Sequence, residues 1–247
     1  MPEPAGEVSD VGPEHIALLL ETEPEVVSFH FGLPEAEIVR ALKSAGIFIL
    51  SSATTVAEAR LLAQRGVDAI IAQGSEAGGH RATFTDVSMS MQPGLFSLLP
   101  QVVDAVRVPV VAAGGVADGR TAAAAFMLGA SAVRTAFLRC EEAEVRDAHR
   151  AALAEADDAC TVVTDVISGR PCRYIRNKLI DDLVASGLKP LPVPAQLSLT
   201  QRLSDTGNRE WTALTSGQSA ALARATKAAE LIERLADETT RRLGAFI

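Results

Sequence analysis

The sequence predicts an α/β fold on a parallel sheet, and three observations carry that prediction. Five short runs rich in Val, Ile and Ala begin near residues 26, 47, 69, 108 and 130. Their starts lie 21, 22, 39 and 22 residues apart, the pitch of strand–helix–strand units with right-handed crossovers. Two of the runs stop abruptly in glycine-rich loops, and the carboxyl end of a parallel strand is where such folds build their sites.

Each element follows in turn. Residues 1–12 are polar and read as a loose segment, and residues 14–21 read as a helix. The run from Val26 to Phe31 reads as a strand closed by Gly32 and Pro34. Apolar residues at helical spacing then predict a helix over 35–45 and another over 55–65, with a strand over 47–50 between them. Ala69 to Ala72 is an apolar run bounded by turn residues, which suits a strand buried on both faces. The interval of 39 residues holds about 17 more than its neighbours, and long loops in such folds are often functional. Its segment from His80 to Pro93 carries Thr83, Thr85, Ser88, Met89, Met91 and Gln92, and reads as a lid or as a surface excursion. Val108 to Ala112 is a strand, 120–128 a helix, and Ala130 to Val133 the last strand. Beyond it, 141–156 reads as helix, 160–195 as mixed, and 219–235 as a helical tail.

With 247 residues, 48% of them apolar, the chain can bury one sizeable core, so residues 13–247 read as a single domain whose helical tail begins at about 141. The formal net charge of −8 argues against a nucleic-acid partner, which calls for a basic face. No apolar run reaches the ~18 residues of a membrane span. The start, Met1-Pro2-Glu3-Pro4, lacks the features of a signal peptide. Cys140, Cys160 and Cys172 are odd in number and lack metal-ligand spacing. Together these features predict a reduced, cytoplasmic protein with no metal site.

The chemistry concentrates in two segments. Residues 68–80 read Asp-Ala-Ile-Ile-Ala-Gln-Gly-Ser-Glu-Ala-Gly-Gly-His. Gly78 and Gly79 let the backbone approach a ligand, and His80 brings an imidazole that changes charge near neutral pH. Residues 108–120 repeat the pattern with a buried strand, the pair Gly114-Gly115 and a helix start. Backbone N–H groups between a strand and a helix can cradle a phosphate. His30 lies inside a strand and reads as a core or rim histidine. The basic residues Arg170, Arg173, Arg176 and Lys178 read either as a solvated face or as a surface toward a substrate or partner.

These residues carry a resemblance. The match includes Val27-Ser28-Phe29-His30-Phe31-Gly32, Gln73-Gly74-Ser75-Glu76-Ala77-Gly78-Gly79-His80-Arg81 and Ala112-Ala113-Gly114-Gly115-Val116-Ala117. It continues through Ser168-Gly169-Arg170-Pro171, Ile175-Arg176-Asn177 and Gly217-Gln218. From about residue 14 onward the chain resembles the nitronate monooxygenases, formerly called 2-nitropropane dioxygenases, which are FMN-dependent (β/α)8 barrels. The resemblance implies that His80 is the catalytic base beside the flavin. It implies that Gln73 contacts the flavin ring, that Gly78 and Gly79 belong to the flavin loop, and that Gly114 and Gly115 receive the FMN phosphate. It implies a small nitronate or nitroalkane substrate and O2 as partners.

The chain departs from the family pattern in three places. The family's barrel opens with three βα units that have no counterpart here, so an incomplete TIM barrel is expected, with about the last five units and a C-terminal helical region. The family's Gln-x-Gly-Thr after the last strand is replaced by Arg134-Thr135, where Arg134 supplies a charge for the phosphate and Thr135 a hydroxyl. Ala82 stands where glycine is common. A five-stranded parallel sheet left open exposes two edges, so such a chain must cover them, pair with another copy or be unstable. A homo-oligomer is one expected outcome.

Three functions remain open on the sequence. One is FMN-dependent oxidation of alkyl nitronates by O2 to a carbonyl compound and nitrite. Another is a different FMN-barrel reaction, such as enoyl-thioester reduction. The third is a flavin-free, non-catalytic relative.

Overall fold

The computed structural model describes residues 11–135, 137–204 and 207–245, so the expected loose segment lies, up to residue 10, outside the described residues. In chain order the elements are α1 (Pro13–Thr22), β1 (Val26–Phe29), α2 (Ala36–Ser44), β2 (Phe48–Ala53), α3 (Val56–Gln64), β3 (Ala69–Gln73), β4 (Gly79–His80), α4 (Leu95–Ala105) and β5 (Val110–Ala113). They continue with α5 (Gly119–Met127), β6 (Ala132–Arg134), α6 (Asp147–Ala154), β7 (Thr161–Thr164), β8 (Cys172–Ile175), α7 (Lys178–Ala185), α8 (Ala195–Ser204) and α9 (Ala228–Gly244). They group into two compact units, each drawn from separated stretches of chain.

The first unit comprises Met1–Ser75, Ala82–Ala113 and Ala125–Arg134. Its sheet has the order β1-β2-β3-β5-β6, with every pairing parallel. The five expected strands are all present, and among the described residues the sheet is open, with β1 and β6 at its edges. Burial follows that order. All five residues of central β3 are buried, whereas Val26 on β1 is 52% exposed and β6 has no buried residue. Apolar alternation cannot develop on a strand covered on both faces, which is why β3 reads as an unbroken apolar run.

Helix α3 starts from a local rule. Thr55 caps it by accepting the Glu58 N–H at 3.2 Å. Glu58, three residues on, does not return to the cap residue as in a capping box. Its buried carboxylate takes the N–H and hydroxyl of Thr54 at 2.7 and 2.8 Å. It also takes the Thr83 and Thr85 hydroxyls at 2.8 and 2.9 Å and the Phe84 and Thr85 N–H groups at 2.9 and 3.2 Å. The first residues of the supposed lid are thus tied down to a helix start. The segment beyond them ends in α4, which buries Leu95, Leu98, Leu99 and Val102.

Six donors converge on this one carboxylate, so removing it strands several buried groups at once. Glu58→Ala is expected to cost about 3 kcal/mol or more of stability. Glu58→Gln, which turns an NH2 group toward donors, is expected to recover less than half of that loss. Urea unfolding measures both, and a Glu58→Ala loss below about 1 kcal/mol would refute the assignment.

The second unit comprises Glu76–Arg81, Gly114–Ala124 and Thr135–Ile247. Within the region expected to be mainly helical from 141, it holds β7 and β8, which form an antiparallel sheet in the order β4-β8-β7. Every residue of β8 is buried. Cys172 and Tyr174 pack with Ile167, Leu179 and Ile180, while Ile175 joins Leu153 and Leu214 in a second cluster. Asn177 caps α7 by accepting the Ile180 N–H at 3.3 Å, and its NH2 donates to the Arg209 and Thr212 carbonyls at 2.9 and 2.8 Å. That buried amide is therefore structural. The helix expected over 141–156 is shorter, and the tail expected from 219 begins at Ala228.

Candidate functional site

In the first unit, Gln73 ends β3, and the register aligns it with Ala113 on β5 and, through Ala113, with Arg134 on β6. The two expected cofactor contacts of this unit thus share one row at the carboxyl edge of the sheet. Gln73 is buried, and its Oε1 accepts the Ala82 N–H at 2.9 Å, so its acceptor end is used inside the protein. Arg134 is exposed. His30 meets Ser52 at 3.2 Å and the Phe31 ring edge-on at 4.6 Å, as a rim histidine should. Phe31 holds a left-handed backbone, φ 67°, which is costly for a bulky side chain.

In the second unit, three glycine segments stack backbone on backbone. A Cβ at Gly78 would lie 2.4 Å from Gly217 N and Ser216 C. One at Gly114 would lie 2.9 Å from Ala77 N, and one at Gly217 would lie 2.9 Å from Glu76 O. The Gln218 N–H donates to the Glu76 carbonyl at 3.0 Å and closes the stack. The close approach expected of Gly78 toward a ligand is thus made to the protein's own backbone. Gly79 adds a positive φ of 79° with no neighbour within 4 Å of its missing Cβ.

Gly114 and Gly115 have φ values of 97° and 72°, a turn that only glycines adopt without strain. No heavy atom lies nearer than 3.8 Å to a Cβ built on Gly115, so this backbone accommodates the approach of a phosphate. The α5 N-terminus does not. Asp118 takes the Arg120 and Thr121 N–H groups at 2.9 and 3.1 Å, and Glu238 takes that of Gly119 at 3.1 Å. Two carboxylates thus already occupy the N–H groups at the start of α5. The Thr135 hydroxyl donates to the Val116 carbonyl at 2.9 Å, so its proton holds this loop.

His80 pairs with Cys172 in the β4–β8 register, and its Nε2 meets the Ser168 hydroxyl at 2.9 Å. Burial first, and the charge of Arg170 second, hold its pKa below the ordinary histidine value. The imidazole is accordingly neutral at pH 7, the state a general base requires. Buried Tyr174, its phenol pKa raised chiefly by burial, shares side-chain hydrogen bonds with Ser168 and Cys172. Burial pushes the Cys172 thiol up to about 11 and leaves it inert. His149 meets the Thr215 carbonyl at 2.9 Å beside the glycine stack.

The basic residues differ in burial and in partners. Arg173 is buried and donates to Thr161 Oγ1 at 3.0 Å, Arg176 pairs with Asp181 at 2.7 Å, and Lys178 pairs with Asp182 at 2.9 Å. Among the described residues there is no cluster of three His, Cys, Asp or Glu that could hold a metal. None of the described helices is long and apolar enough to cross a membrane. Reasoning from the sequence singled out His80 but not its partner Ser168, although the Ser-Gly-Arg-Pro run was itself a signal.

Comparison with known proteins identifies the family. The family model for nitronate monooxygenase matches residues 6–238. The chain is 43% identical over 233 residues to a nitronate monooxygenase of Pseudomonas aeruginosa, covering 92% of this chain and 66% of that protein. It is 41% identical over 231 residues to a probable nitronate monooxygenase of Staphylococcus haemolyticus, covering 90% of this chain and 65% of that protein. The chain therefore spans about two thirds of the length of these curated relatives. A crystal structure of nitroalkane oxidase from Streptomyces ansochromogenes superposes with a TM-score of 0.90 at 38% identity, covering 100% of this chain and 73% of that one. FabK from Thermotoga maritima gives 0.80 at 29% identity, covering 97% and 76%. With a family match over most of its length, the chain belongs to the nitronate monooxygenases, a family of oxidoreductases.

Proposed function

We propose that this chain takes part in the FMN-dependent oxidation of alkyl nitronates with O2 to a carbonyl compound and nitrite. The observation that carries the reading is His80, a half-buried imidazole with a depressed pKa whose Nε2 meets Ser168. Such a group takes the proton from the carbon next to the nitro group of a neutral nitroalkane, giving the nitronate, which has already lost that proton, and it does so without first being deprotonated itself. Bound FMN would supply the electron chemistry with O2. Gly114 and Gly115 would take its phosphate through their backbone N–H groups, with Arg134 as the charge. Gly78 and Gly79 shape the loop that carries His80, Thr135 steadies the diglycine loop, and Gln73 would approach the ring from the end of β3. The substrate is a small nitronate or nitroalkane, and a cytoplasmic location fits the composition.

The test is the visible spectrum of the purified chain with and without added FMN, followed by nitrite release from an alkyl nitronate. Flavin peaks displaced from those of free FMN and retained on desalting, together with nitrite release, support the proposal. Enoyl-thioester reduction without nitrite release favours the alternative oxidoreductase. A colourless protein that takes up no FMN favours the flavin-free relative.

A further inference from the structure

Helix α8, in the second unit, is inside out. Its buried residues are Thr200 and Ser204, one helical turn apart, and both make hydrogen bonds within the protein. Thr200 Oγ1 donates to the Ile167 carbonyl at 2.7 Å, and Ser204 Oγ accepts the Ala213 N–H at 3.1 Å. Leu199 and Leu203, also one turn apart, are 55% and 41% exposed. A surface helix of a folded domain has the opposite arrangement, apolar stripe inward and polar stripe outward. The chain leading into α8 continues the apolar surface. Residues 191–195 read Leu-Pro-Val-Pro-Ala and are all exposed, and Leu188 is 75% exposed. Several consecutive exposed apolar residues are a liability in a lone domain and are found where they serve an interface.

The surface is preformed. The Leu191 N–H donates to Gln196 Oε1 at 3.1 Å, and Gln196 Nε2 donates to the Val166 carbonyl at 2.7 Å. A Cβ at Gly169 would lie 2.1 Å from the Leu191 carbonyl oxygen, so this backbone rests directly on the 166–169 turn. A surface already ordered loses little entropy on binding. Charge and area select the occupant. Residues 183–204 contain no Asp or Glu, and Lys189 and Arg202 are their only charged residues. The whole chain carries a formal charge of −8, so two copies repel, and they approach at least cost through a face without carboxylates. The same net charge opposes docking to an anionic bilayer. The exposed apolar side chains present on the order of 500 Å², more than half of the ~800 Å² that each partner of a stable interface buries. We propose that residues 191–195 together with Leu199 and Leu203 of α8 form the contact between two copies of this chain, related by a two-fold axis so that the same face meets itself.

Sedimentation velocity of the chain across micromolar concentrations tests the proposal, and a dimer is expected. Leu199→Asp and Val193→Asp each place a carboxylate on the face twice per dimer. Each is expected to weaken the dimer about 30-fold or more, the effect of a central interface residue, with the far-ultraviolet circular dichroism unchanged. Phe96→Asp is the control: Phe96 is 72% exposed on α4, in the first unit, and its replacement is expected to leave the dimer intact. The readout needs neither flavin nor turnover, so a failure of the nitronate reading leaves it intact. A wild-type chain that stays monomeric overturns the proposal, and if that monomer floats with vesicles of anionic phospholipid the face belongs to a bilayer instead. A dimer that survives Leu199→Asp and Val193→Asp but is lost in Val26→Asp, at the open β1 edge, also overturns it and assigns assembly to the sheet.

Discussion

Gly78→Ala is expected to be among the most damaging single-methyl changes available in this chain. The added carbon would stand 2.4 Å from two backbone atoms of the 216–217 segment and 2.9 Å from a third. Backbone has no rotamer to change, so the segments must part. The Gln218–Glu76 hydrogen bond is the first bond at risk. Forcing extra volume into a closed contact costs about 1–3 kcal/mol where side chains can adjust, and about 3 kcal/mol or more is expected here. For a chain of this size that is a fall in melting temperature of about 6–12 °C. Gly79→Ala is the control, since its methyl meets nothing and pays only for its positive φ, about 1–2 kcal/mol. Thermal unfolding of the pair decides the matter. Equal losses would mean that the stack is not the reason for glycine at 78. Retained FMN is expected to fall with Gly78→Ala as well, because the neighbouring Ala77 packs against Gly114 of the proposed phosphate turn.

The contrast between those glycines marks how far the sequence was legible. The strand–helix pitch is written in apolar runs, and β1, β2, β3, β5 and β6 all lie where the runs predict. Period and burial are local properties, so they survive in the sequence. Helix α4 was harder to read because Pro100 falls in its interior, and β7 and β8 because four residues of uniform burial, half-buried in one and buried in the other, leave no alternation. His80 could be singled out as a candidate because the imidazole is itself a chemical signal. What Gly78 must avoid lies 138 residues away at Ser216, and the hydroxyl that His80 meets lies 88 residues away at Ser168. Asp118 and Glu238 closing the α5 N-terminus is likewise a long-range fact that no glycine pattern announces. The same Gly-Gly signature fits a free helix end and a capped one, so the pattern could place a phosphate only to within a few residues.

His80→Asn is expected to lower turnover of a neutral nitroalkane about 100- to 10,000-fold, the range that a lost general base commands, while a preformed nitronate is affected less and bound flavin stays in place. Flavin retention is the discriminating half of this result. His80 meets Ser168 and pairs with β8, whereas the phosphate is proposed to rest on Gly114 and Gly115. A loss of flavin in His80→Asn would move the residue from chemistry to structure, and unchanged turnover would remove it from the mechanism. The pH profile supplies an independent check whose sign is fixed. Burial and Arg170 depress the His80 pKa, so the neutral base persists as pH falls past 6.5 and is lost only as pH drops through the lower folded value. The acid limb of kcat/KM is therefore expected below 6.5, with no loss from this group on the alkaline side. Arg170→Gln removes the second of the two causes and is expected to move that limb upward, toward the ordinary histidine value, without abolishing it, because burial is the larger cause. A limb that stays fixed in Arg170→Gln and disappears in no His80 variant would assign the titration, and with it the base, to another residue.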